Sequence, residues 1–220
     1  MSDRPSVTPG RLPWLLLLLA PVSCSGLSLR VSSDSMRALP VEERLDLLDA
    51  ENDLFAAIDR RDDALQALDD AEDTYGKTGK LLSSAEQELS KAQDDHDQQG
   101  VSVGKLAVEE AHAHRSYANL AIDLAHDELD VASAYVLVAE AQFEKAKAES
   151  IVRAKVKGAS GISVPKYDAQ VKHFQKRAKS IEHDLQSDTK SADKIRARWT
   201  DLSHQLSEQT GGAQGSPWVE

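Results

Sequence analysis

The chain has 220 residues with 26 basic and 37 acidic side chains, a formal net charge of −11, and only 5% of it is aromatic. Phosphate neutralisation needs clustered Lys and Arg, so this balance argues against a nucleic-acid partner. Many Ala, Asp, Leu and Lys residues with few aromatics point to long helices and a thin core, and the sole cysteine, Cys24, leaves no internal disulfide framework.

The N-terminus has the three-part layout of an export signal. Met1 to Arg11 is polar and carries Arg4 and Arg11; Leu12 to Val22 is apolar around Leu15 to Leu19; Ser23, Cys24, Ser25 and Gly26 follow. An apolar run of about eleven residues is too short for a bilayer, which takes roughly 20. A cleaved signal over residues 1–23 is therefore expected rather than a transmembrane helix.

Val22 and Ser23 before Cys24 give residues 12–24 a likeness to bacterial lipoprotein signals, with Pro21 standing where that pattern usually has Leu. The resemblance implies a lipoprotein whose Cys24 becomes the N-terminus and carries fatty acyl chains of the palmitate kind. Because Ser25 rather than Asp follows, it further implies the periplasmic face of the outer membrane. Cleavage after Ser25 or Gly26 would instead leave a periplasmic or secreted protein. Residues 24–40, rich in Ser and without a helical period, read as a flexible tether.

From Val41 the apolar residues Leu45, Leu48, Phe55, Ile58, Leu65, Leu68, Tyr75, Leu82 and Leu89 recur at steps of three, four and seven, which predicts a coiled-coil helix over about 41–97. Gly76 and Gly79 lie inside it, but Leu82 and Leu89 stay in phase with Leu68 and Tyr75, so the helix is expected to continue. DQQGVSVG, residues 97–104, reads as a turn. A second helix follows over about 105–157 with Tyr117, Leu124, Val131 and Val138 as its inner row. Gly158 to Val164 is the next break, and Pro165 opens a third helix over about 165–209. There Tyr167, Val171, Phe174, Ala178, Ile181, Leu185, Asp188, Ala192, Ile195, Trp199, Leu202 and Leu206 alternate steps of four and three. Residues 210–220 read as a disordered tail.

The expected architecture is all-α: an elongated three-helix antiparallel coiled-coil bundle, residues 41–209, with a flexible N-terminal tether. Residues 41–75 hold thirteen acids and three bases, and residues 165–200 hold nine bases and five acids. That contrast predicts the third helix packing beside the first, or heptad faces meeting another copy or a protein partner.

The apparent chemistry is weak. Ala71 to Thr78 approximates a phosphate-loop spelling, but its flanks are helical and Glu72 and Asp73 repel anions, so no nucleotide is expected. Glu109–His112 and Asp123–His126 echo the Glu-x-x-His spacing of di-iron bundles, yet both histidines fall on the outer side of one helix. His114 borders the inner row and suits an interhelical hydrogen bond. Adjacent carboxylates such as Asp62 and Asp63 diverge by about 100° around a helix and do not converge on a substrate. Tyr135, Phe143 and Ile151 are candidates for an exposed apolar patch. No catalytic residue, metal ligand or cofactor is assigned. The expectation is an exported, lipid-anchored envelope protein with a structural, scaffolding or adaptor role; the alternative is a soluble exported protein binding a small ligand or metal between helices.

Overall fold

A computed structural model describes residues 26–157 and 161–215, and Cys24 with the rest of the leader lies outside them. The fold is all-α. Two short helices, α1 (Ser33–Arg37) and α2 (Val41–Leu45), precede three long ones, α3 (Leu48–Asp94), α4 (Gln98–Arg153) and α5 (Val164–Thr210). No strand occurs among the described residues. With 56 residues, α4 is about 84 Å long and forms the spine of the bundle.

α3 and α5 each pack antiparallel along α4. They meet one another chiefly at the end where Ala85 and Leu206 share a cluster with Ala107 and Ala111. The expectation from charge, α5 beside α3, is thus corrected. Exposed charges attract weakly through water and salt, whereas burying the apolar row of α5 against α4 removes area from water.

The α3–α4 seam is built from small residues. Every seventh residue of α4 from Gly104 to Ala146 is Gly or Ala, and on α3 the row Ala57, Ala64, Ala71, Thr78, Ala85, Ala92 has the same period. Short side chains let the two backbones approach closely. A Cβ on Gly104 would stand 3.0 Å from Leu89 Cα, and one on Gly79 would stand 2.8 Å from Arg115 Nη1. The room left by Gly79 holds that guanidinium 4.2 Å over the Tyr75 ring, with Nη2 donating to Tyr75 Oη at 2.8 Å. The larger members of the seam are Leu54, Leu68, Tyr75, Leu82 and Leu89, again seven apart from Leu68 onward.

Several boundaries differ from the sequence reading. The first helix is interrupted at Asp46–Leu47, where Leu47 N–H bonds Arg44 O three residues back. This tightened turn buries Leu47 with Leu39 and Ile151. It leaves Val41, Leu45, Leu48 and Phe55 exposed, although the periodicity had placed them on the inner stripe. The turn expected over 97–104 shrinks to residues 95–97, with His96 at φ 58°. Asp97 caps α4 by accepting Gln99 N–H, so Gly100 and Gly104 are helical. α3 runs through Gly76 and Gly79 without a break, and α4 ends at Arg153, four residues before Lys157.

Neither flank of the bundle is loose where composition suggested it. Leu27 is buried among Ala134, Val138, Val171 and Phe174. The Gln170 amide accepts from Ser28 Oγ and Leu29 N–H at 2.9 Å and donates to Leu29 O at 3.2 Å. Val31 N–H donates to Glu144 at 2.6 Å. Residues 26–31 are thus an extended segment seated on α4 and α5, not a tether. α1 and α2 then close that end, where Arg153 pairs with Glu43 at 2.8 Å and Asp46 at 2.9 Å. At the other end Gly211, φ 62°, terminates α5, and Gly212 N–H returns to Ser207 O at 2.8 Å. Residues 211–215 fold back, and Gln214 Nε2 donates to Glu88 at 2.7 Å. They are held against the bundle rather than trailing from it.

The α4–α5 seam thins in its middle, where no residue of α5 between Ala178 and Ala192 is fully buried. Asp188 occupies the heptad row there, and Asp127 comes from α4. Burial first, then the charges of Asp188, Asp130 and Asp123, raise the Asp127 carboxyl above its ordinary value.

Candidate functional site

At the turn end α3, α4 and α5 come together around a cavity of about 380 Å³. α4 supplies Glu110 and His114, one turn apart on the same face, and α5 supplies Trp199. Heptad phase turns Trp199 inward, where its Nε1–H donates to Glu110 Oε1 at 2.8 Å. Its ring stacks on His114 with centroids 4.1 Å apart and planes 9° from parallel, and Tyr117 lies 5.4 Å away at 18°. Leu81, Ala85, Ala111 and Leu206 give the cavity apolar surface; Glu88 and Gln214 stand across it.

The site is partly dry. Burial raises the Glu110 carboxyl above the ordinary glutamate value, and the hydrogen bond from Trp199 only partly opposes this. Burial also lowers His114, which favours the neutral imidazole. A glutamate raised in the folded state binds protons more tightly there than in the unfolded chain. Its contribution to stability is therefore complete below the unfolded value and is lost as pH rises through the folded one. Glu110→Gln, which keeps an acceptor for Trp199, is expected to melt higher than the parent at pH 7. The difference should close as pH falls through the carboxylate range. Paired thermal melts across that range check this, and a variant that melts lower at pH 7 would contradict it.

The other residues weighed from sequence are dispersed. Thr78, in the phosphate-loop-like stretch, is 1% exposed inside α3 and donates to Tyr75 O at 2.7 Å. His112 and His126 are exposed, and Glu109 pairs with Arg198 at 3.1 Å. His114 takes part in the bundle through stacking rather than an interhelical hydrogen bond. Tyr135 donates to Glu182 at 2.9 Å, Phe143 is half-buried beneath Lys147, and Ile151 is fully buried, so they form no patch. Among the described residues no group of three His, Cys, Asp or Glu side chains is placed to hold a metal. Nor is any helix among them long and apolar enough to cross a membrane.

Sequence reasoning missed Glu88 and Gln214. Neither belongs to a periodic row, and Gln214 reaches the site only because Gly211 and Gly212 turn the chain back. No family model matches the chain, and neither do any curated protein or solved structure. The class that the fold itself defines is an all-α helical bundle.

Proposed function

We propose that this is an exported envelope protein, anchored through acyl chains on Cys24 and serving a structural or adaptor role at the periplasmic face of the outer membrane. The observation that carries the reading is Cys24 itself, the sole cysteine, directly after the apolar run of an export signal. The long helical flanks support it, and so do Val41, Leu45, Leu48 and Phe55, apolar side chains exposed among acids on α2 and α3. No catalytic step is assigned to the protein.

The docked N-terminal segment sharpens the mechanical picture. Cys24 lies three residues before buried Leu27, a reach of at most about 11 Å. An anchor there would hold the α4–α5 flank close to the bilayer instead of letting the body roam on a long spacer. Several acyl chains anchor stably where a single one does not. Cell fractionation of the parent and Cys24→Ser tests the reading. The parent should sediment with membranes and the variant should become soluble; identical partitioning would refute the anchor.

The cavity favours a second reading, a small ligand held between helices. The two are compatible, because an anchored body can carry a ligand.

A further inference from the structure

We propose that the cavity between α3, α4 and α5 binds an organic ammonium ion, a primary amine on a compact aromatic or branched apolar body. The inference rests on the ligand-binding reading of this cavity and is independent of the anchor.

Its charged lining is of one sign. Glu88 and Glu110 are the charged residues of the wall, and no Lys or Arg lines it. With His114 held towards its neutral form, the site offers an anion nothing to pair with and gives a cation two carboxylates. A metal ion fits poorly, since the described residues bring no three ligating side chains together there.

Both carboxylates are held at the wall, Glu110 accepting from Trp199 Nε1–H at 2.8 Å and Glu88 from Gln214 Nε2 at 2.7 Å, and each keeps acceptor capacity. An alkylammonium carries three N–H donors and no acceptor, which suits two carboxylates at once. A quaternary ammonium has no donor for them, and a neutral alcohol has no charge for the glutamates.

The remaining wall selects the body of the ligand. Trp199 offers aromatic surface, and Leu81, 52% exposed on α3, stands at the wall with branched apolar area open to contact, while Leu206 is buried behind them. About 380 Å³ falls within the size range of small-molecule sites.

The test uses the full chain titrated with phenethylamine, phenethyl alcohol and phenylacetate. Calorimetry gives affinity, and the Trp199 indole N–H resonance reports the site. Phenethylamine should bind and move that resonance, and the alcohol and the acid should bind more weakly by roughly ten-fold or more. Glu88→Gln and Glu110→Gln should each remove that preference while retaining the parent's helical circular dichroism. Glu88→Gln serves alone if Glu110→Gln does not fold. Equal binding of the three compounds, or a preference untouched by the glutamine variants, overturns the ammonium assignment but leaves a ligand cavity standing. Failure of all three to bind overturns both.

Discussion

Phe174→Ala is expected to destabilise the protein by about 3–5 kcal/mol, read as a lower urea midpoint with an unchanged m-value. Phe174 is 5% exposed and fills the space where α4, α5 and the N-terminal segment meet, against Ala134, Val138, Val171 and Leu27. Its neighbours are short and sit on helices already packed along their length, so the site cannot collapse around the missing ring. Leu27 would lose its seat as well, and amides 27–31 should exchange faster. Phe55→Ala is the control. Phe55 is 56% exposed on α3, and its loss should change stability by no more than about 0.5 kcal/mol. Comparable losses for the two phenylalanines would contradict the assignment of inner and outer faces.

Ile151→Ala is expected to cost about 2–5 kcal/mol. Ile151 is fully buried near the C-terminal end of α4 and joins Leu39 and Leu47, the residues that secure the segment before α3. The two ion pairs of Arg153 nearby are solvent-exposed and cannot substitute, because such pairs are worth about 0–1 kcal/mol each. Limited proteolysis should cut the variant between residues 26 and 47 before it cuts α3 or α4. Cleavage no faster than in the parent would mean that Ile151 does not hold this end.

The long helices were legible because their period is strict. The row from Tyr167 to Leu206 keeps its four-three alternation for more than five heptads and lies against α4 for most of its length. A heptad reports that one face is covered and leaves its partner open. That is why the charge contrast between residues 41–75 and 165–200 misled: those charges are mostly exposed, and the apolar rows decided the pairing. The Leu and Ala rows of α3 also run in parallel series three and four residues apart, and the more apolar positions Leu48 and Phe55 drew the stripe to the wrong side.

Glycine and serine were read too locally. Gly104 suggested a turn, yet its missing Cβ is what allows α4 to approach Leu89. The serines of residues 25–35 suggested flexibility, while Leu27, Leu29 and Val31 carried a period of two, the mark of an extended segment with one face covered. The candidate cavity was only half visible. The one-turn spacing of Glu110 and His114 and the heptad position of Trp199 are in the sequence. Their meeting with Glu88 and Gln214 depends on the antiparallel register of three helices and on the reversal after Thr210.

The most direct test of the anchored-envelope account is the intact mass of the protein purified from membranes of a double-membraned bacterial host. The account predicts a chain beginning at Cys24 with added acyl mass that is absent from Cys24→Ser. An unmodified chain beginning at Gly26 or Leu27, or one that still retains Met1, would contradict it.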